Sequence, residues 1–253
     1  KCMLKNILES NSPEKWILLH ALIGILSSFS SLFFALWFFV FVFSSLSFIS
    51  KGTRRMRKVN LLYFISYLAA SELIVRMSKG WMYKIPWEFG KYVMIFGFLY
   101  GVMANNSRKG TIGLMLIVLL LPSLLLGPHT TPDFRELVGN IFGPIAIGMG
   151  VLYSYKLNVT KEEFKKIVFL ILLPCISVLA FTLIRNPDFS DYEFNLGANF
   201  ETAGGFGSNQ VSTVLGLGMF LTFIFWINKW SLFKNRNYTV VLMLLFAIQG
   251  LLT

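Results

Sequence analysis

The sequence predicts an all-α, polytopic transmembrane helical bundle of about nine spans, and three observations carry that reading. Hydrophobic residues fill 55% of the 253 positions and charged residues only 14%, whereas a soluble domain carries about 25% charge. Mean hydropathy is +0.66, and the apolar residues gather into runs approaching the ~20 residues a helix needs to cross a bilayer core. The polar segments between those runs alternate between basic and acidic, as expected of a chain that crosses a membrane repeatedly.

The runs place spans at Trp16–Ser27, Ser31–Ile49, Asn60–Arg76, Phe89–Ala104, Thr111–Leu126, Leu137–Tyr155, Ile167–Ile184, Asn209–Ile227 and Tyr238–Thr253. The first two share one run, "WILLHALIGILSSFSSLFFALWFFVFVFSSLSFI". A single helix of that length would overshoot the bilayer, so the Ser-rich "SSFSS" reads as the turn of a hairpin. With no internal repeat, soluble domain or low-complexity linker, residues 1–253 read as a single membrane domain. The chain lacks an initiator Met, and its last run, "YTVVLMLLFAIQGLLT", reaches the end without a polar flank. A longer protein is therefore expected, with later spans and a main outer loop beyond residue 253.

Charge sorting gives the expected orientation. On one side lie 17 of the 23 Lys and Arg and 4 of the 12 Asp and Glu, a net of +13. The other side holds 6 cations and 8 acids, a net of −2. The whole excess of +11 is thus explained by loops on one face, which the positive-inside rule makes cytoplasmic, with the N-terminus. The basic run "KGTRRMRK" reads as a topology determinant, and no nucleic-acid partner is expected. The N-x-[ST] triplets at Asn105, Asn158 and Asn237 fall on this basic side and read as chance matches.

Cys2 and Cys175 have neither disulfide nor metal-ligand spacing, and His20 and His129 stand alone. No metal or cofactor is expected. What stands out on the far face is "ETAGGFGSNQVSTVLG", Glu201 to Gly216. It lacks the Lys of a P-loop, and Gln210 occupies the place of the last glycine in a dinucleotide fingerprint. What remains is a glycine turn into a helix, with Ser208 or Asn209 as its cap. Such a helix would present free N–H groups and the positive end of its dipole to an outward cavity. Around it the ionisable residues near span ends matter most. Glu72 and Arg76 are four apart, on one helical face as an ion pair; Glu88 and Lys91 flank the next span; Arg185 ends another. Each bears a bland reading, snorkelling to headgroups. Together, Arg76, Lys91 and Arg185 are candidates to converge on a lipid diphosphate.

"GGFGSNQVSTVLGLG", together with "IPWEFGKY", resembles the O-antigen ligase / O-antigen polymerase family of bacterial envelope glycosyltransferases. In that family a glycine-aromatic-glycine turn followed by Pro-Asn or Asn-Gln opens a transmembrane helix, which Gly205, Phe206, Gly207, Asn209 and Gln210 match here. The resemblance covers most of the chain and corresponds to the part of the family before its main outer catalytic loop. It implies a GT-C-like membrane fold in the bacterial inner membrane and a glycan carried on undecaprenyl diphosphate. It also implies metal-independent, inverting transfer to a glycan, lipid or protein acceptor at the outer face, with membrane lipid as surroundings. Two departures matter. The Thr/Ser-Arg-Gly segment and the loop His of the ligases would fall beyond residue 253, so the catalytic residues are unassigned and this segment alone is expected to be inactive. Relatives also carry an Arg shortly before the turn, where this chain has Glu201 and Thr202; its work would pass to Arg185 or Lys91. Two other classes stay open: a transporter or flippase of a lipid-linked or anionic solute, which would show repeat symmetry between halves, and a non-catalytic membrane subunit.

Overall fold

Every regular element in the structure, a computed structural model, is a helix among the residues it describes: 2–78, 89–104, 111–120, 122, 133–185 and 202–253. In order they are α1 (Met3–Leu8), α2 (Pro13–Phe29), α3 (Ser31–Ile49), α4 (Arg54–Ala70), α5 (Glu72–Met77), α6 (Phe89–Ala104), α7 (Thr111–Val118), α8 (Asp133–Ser154), α9 (Lys161–Arg185), α10 (Ser208–Ile227) and α11 (Asn237–Leu252). Four stretches are long and apolar enough to cross a membrane: α3, the combined Arg54–Met77 run, α9 and α10. Gly90–Ala104, Asn140–Ser154 and Asn237–Leu252 are shorter apolar helices. Short α1 was not anticipated, and α4 starts in the basic run, six residues before the expected span. Glu88, Asn105, His129 and Glu201 lie outside the described residues.

The chain breaks where polar side chains compete for backbone hydrogen bonds. The long first run divides at Ser30, which is extended (φ −149°, ψ 128°) and accepts a hydrogen bond from Leu32 N–H. His20 of α2 then faces Trp37 of α3 edge to face, with centroids 5.3 Å apart, as a hairpin requires. The expected span Asn60–Arg76 divides between α4 and α5 at Ser71, whose hydroxyl donates to Tyr67 O at 2.7 Å.

The burial pattern is that of a membrane protein. Phe33, Leu36, Val40 and Phe43 of α3 and Val241, Leu244, Ile248 and Leu251 of α11 form exposed apolar stripes. His20, Ser45, Asn60, Ser177, Thr182, Thr222 and Gln249 are buried. Between helices surrounded by lipid there is little hydrophobic driving force, so close packing and interhelical hydrogen bonds must hold the bundle. Helix α9 is the hub, packed on α2, α4 and α10. Its Ser177 hydroxyl donates to His20 O at 2.8 Å, and Arg185 donates to Ser28 O. Both bonds join residues 157 apart in sequence, the mark of two parallel helices in register. At one end, Arg55 pairs with Glu163 at 2.7 Å and Tyr153 Oη donates to Lys58 O at 2.7 Å. This is the basic end of the charge partition; Ser28, Arg76, Lys91 and Arg185 lie toward the opposite, far end.

A buried polar chain ties α2, α3 and α4 together. Trp37 Nε1–H donates to Tyr67 Oη (2.5 Å), Tyr67 Oη lies 2.9 Å from His20 Nε2, and His20 Nδ1 lies 2.8 Å from Trp16 O. A carbonyl only accepts and an indole N–H only donates. The neutral ring therefore carries its proton on Nδ1, and Tyr67 donates to Nε2. Tyr67→Phe orphans both the indole N–H and the imidazole nitrogen. It is expected to destabilise the protein by about 1–3 kcal/mol, read as a lowered midpoint of denaturation in detergent. An unchanged midpoint would show that the chain contributes nothing to assembly.

Candidate functional site

The far end brings three of the bundle's long elements onto the glycine turn. Gly204 (φ +68°) and Gly205 (φ +77°) are both left-handed, a conformation that costs other L-residues about 1–2 kcal/mol each. Two such residues in succession reverse the chain before α10. Thr202 and Ala203, at the base of the turn, are fully buried. Gln249 of α11 donates from Nε2 to Thr202 O at 3.2 Å, so the turn is held from behind by a buried amide.

The cap is not the expected one. Gly207 is the N-cap of α10, with no side-chain cap, and Ser208 and Asn209 are already helical. The amides of Gln210 and Val211 bond to Gly207 O at 3.0 and 3.2 Å. A glycine cap is tolerated, and it leaves both side chains for other work. Ser208 is buried, whereas Gly207, Asn209 and Gln210 are exposed at the helix start.

Arg76 and Arg185 stand on either side of this turn. Glu72 holds Arg76 at 3.4 Å, which realises the expected i,i+4 pair, and the guanidinium lies 5.3 Å over the Phe206 ring. Arg185, the last residue of α9, stacks 5.2 Å over Phe181 and donates through Nε and Nη2 to Ser28 O at 3.1 and 2.8 Å. A Cβ at Gly204 would touch the Phe181 ring at 3.4 Å and Arg185 Cβ at 3.6 Å. Those are ordinary contact distances, so the left-handed backbone at Gly204, and not a lack of space, is what calls for glycine where the turn meets the end of α9. Cation–π stacking holds both planar groups, with the Glu72 ion pair added for Arg76 and donation from two nitrogens for Arg185.

Lys91 reaches the same end by another route. The Glu72 side chain packs against Gly90, and Lys91 Cε lies 3.8 Å from where a Cβ on Gly143 of α8 would stand. Lys91 therefore sits one helix away from the turn. Of the predicted site residues, Arg76, Arg185, Gly205, Gly207, Asn209 and Gln210 form one constellation, and Lys91 borders it through Glu72. Among the described residues no three His, Cys, Asp or Glu side chains gather as metal ligands would.

Sequence reasoning missed three contributors. Ser28 acts through its backbone oxygen and leaves no trace in the sequence. Phe206 was read as part of a motif and not as the platform for Arg76. Gln249 could have been found, because an amide inside "LLFAIQGLL" is costly unless it has a partner. The resulting arrangement sets two guanidinium groups against the turn that opens a helix N-terminus, donor chemistry suited to an anion with several oxygens. No family description, curated protein or solved structure matches the chain.

Proposed function

We propose that this chain is the membrane core of a bacterial inner-membrane glycosyltransferase of the O-antigen ligase / polymerase type. On this reading the chain makes about nine crossings in a GT-C-like arrangement, with its N-terminus in the cytoplasm. It moves or polymerises a glycan from undecaprenyl diphosphate onto a glycan, lipid or protein acceptor at the outer face. The observation that carries the reading is the convergence of Arg76 and Arg185 on the Gly204–Gly207 turn at the end opposite the basic loops. A donor diphosphate bound there would have its terminal oxygens among fixed donors. When an acceptor hydroxyl attacks the anomeric carbon, the glycosidic C–O bond breaks and the lipid diphosphate leaves with its electron pair. The two guanidinium groups and the opening amides of α10 stabilise that developing charge without reorganising. The base that takes the acceptor proton is unassigned.

Asn209 tests the reading because it is exposed at the helix start and its side chain takes no part in the cap. Asn209→Ala in the full-length protein is expected to abolish transfer from a polyprenyl-diphosphate glycan while membrane insertion and yield stay normal. Transfer at the normal rate would remove the site from the mechanism. Counterflow of labelled lipid-linked donor in vesicles, without transfer, would assign the chain to the transporter class instead.

A further inference from the structure

A second, separate feature lies at the basic end. Helix α4 packs on α3 at one flank and α6 at the other, and the gap between α3 and α6 is an apolar groove of about 630 Å³. Leu61, Phe64, Ile65 and Leu68 form its floor, the i, i+3, i+4, i+7 stripe of one helical face. Val42 and Leu46 line one wall and Phe96 and Tyr100 the other. The groove continues into a smaller, more polar cavity of about 230 Å³ that shares Ile49, Ser50, Leu61 and Tyr100 with it and ends at Arg57.

We infer that this groove is a binding site for an anionic phospholipid of the leaflet at the basic end, with an acyl chain along α4 and the headgroup phosphate at Arg57. Two independent observations select this occupant. The first is length. From Arg57 to Leu68 the floor runs 11 residues, ~16 Å at the helical rise, which is about half of the ~30 Å hydrocarbon core. A groove one leaflet deep fits an acyl chain whose headgroup is at the near surface, and is too short for a lipid threaded from the far face. The second is charge. The apolar groove opens beside Lys51–Lys58, which carries five cations and no acid. Arg57 of that set lines the cavity itself. A basic side chain at the end of an acyl-wide slot attracts a headgroup of net negative charge, whereas a zwitterionic headgroup brings its phosphate together with a cation of its own and gains less. The site is distinct from the far-end constellation and does not depend on the transferase reading.

Native mass spectrometry of the full chain, delipidated in detergent and titrated with dioleoyl phosphatidylglycerol or dioleoyl phosphatidylcholine, tests the inference. The first phosphatidylglycerol is expected to bind about fivefold more tightly or better, the factor of one basic side chain at a membrane surface. Arg57→Gln should erase that preference while leaving chain binding. Val42→Trp, which fills the groove, should weaken both lipids. Equal affinity of the two lipids for the unaltered chain would overturn the inference, as would a dimer mass in place of bound lipid. A photoreactive acyl chain on phosphatidylglycerol gives a readout that needs no variant. Adducts concentrated on Val42, Leu46 and Phe96 are expected, and adducts spread evenly over α10 and α11 would overturn the assignment.

Discussion

On the proposed transferase reading, replacing Arg185 by alanine is expected to reduce glycan transfer by the full-length protein about 10²–10³-fold, the usual cost of removing one preorganised donor to developing charge. Arg185 is fixed by Ser28 O and the Phe181 ring, so its guanidinium reaches the transition state without first being ordered. Arg185→Lys keeps the charge but loses the planar, two-pronged donation and should recover only part of the rate. Because Arg185 also joins α9 to α2, the informative readout is the split between kcat and KM. Loss of a transition-state contact lowers kcat and kcat/KM together. A variant that only melts earlier, with normal kcat in the folded fraction, would reduce Arg185 to a structural tie and sink its place in the site.

The largest stability effect is expected at Gly24. Helix α2 lies so close to α9 that a Cβ at Gly24 would run into the backbone oxygen of Ser177, 2.9 Å from Ser177 Cα and 3.0 Å from Ala180 Cβ. A side-chain tip can turn aside, but backbone cannot, so α2 must move outward. That movement also stretches the Ser177–His20 and Arg185–Ser28 bonds, which lie within about one turn on either side. Gly24→Ala should therefore cost about 1–3 kcal/mol, the range of overpacking, and Gly24→Val more. The control is Gly216→Ala in α10, where a Cβ would meet nothing within 4 Å. There the gain in helix propensity, roughly 0.5–1 kcal/mol, is unopposed. Equal denaturation midpoints for the two alanine variants would show that the α2–α9 approach is not what holds the bundle.

Apolar helices were legible because hydropathy is a property of the residue and survives any arrangement of neighbours, although only four stretches among the described residues, and not nine, are long and apolar enough to cross a membrane. Ser31–Ile49 and Phe89–Ala104 coincide with helices, and Ser208–Ile227 and Asn237–Leu252 start one residue early. Helix α9 is longer at its basic end than the expected Ile167–Ile184, because Lys161, Lys165 and Lys166 extend it into the interface, where charge is not penalised. The Glu72–Arg76 pair was legible for a similar reason, since spacing along one helix settles it. The cap at α10 was not. Ser208 and Asn209 have the right chemistry, but the left-handed pair Gly204–Gly205 ends the turn in time for Gly207 to take the position.

By itself the sequence determined an all-helical chain, the approximate bounds of its apolar helices, and a basic set of polar segments with an opposite set near neutrality. These follow from transfer free energy and charge counts, which need no partner. Only the tertiary structure decided which distant residues meet. It brought Arg76 and Arg185 to one glycine turn, kept Lys91 a helix away behind Glu72, and secured the turn with Gln249. It also opened a groove between α3 and α6 that no single stretch contains. Each of these depends on how closely helices approach, which is set by contacts between residues far apart in the chain such as Gly24 with Ser177 and Arg185 with Ser28. No local pattern encodes such contacts.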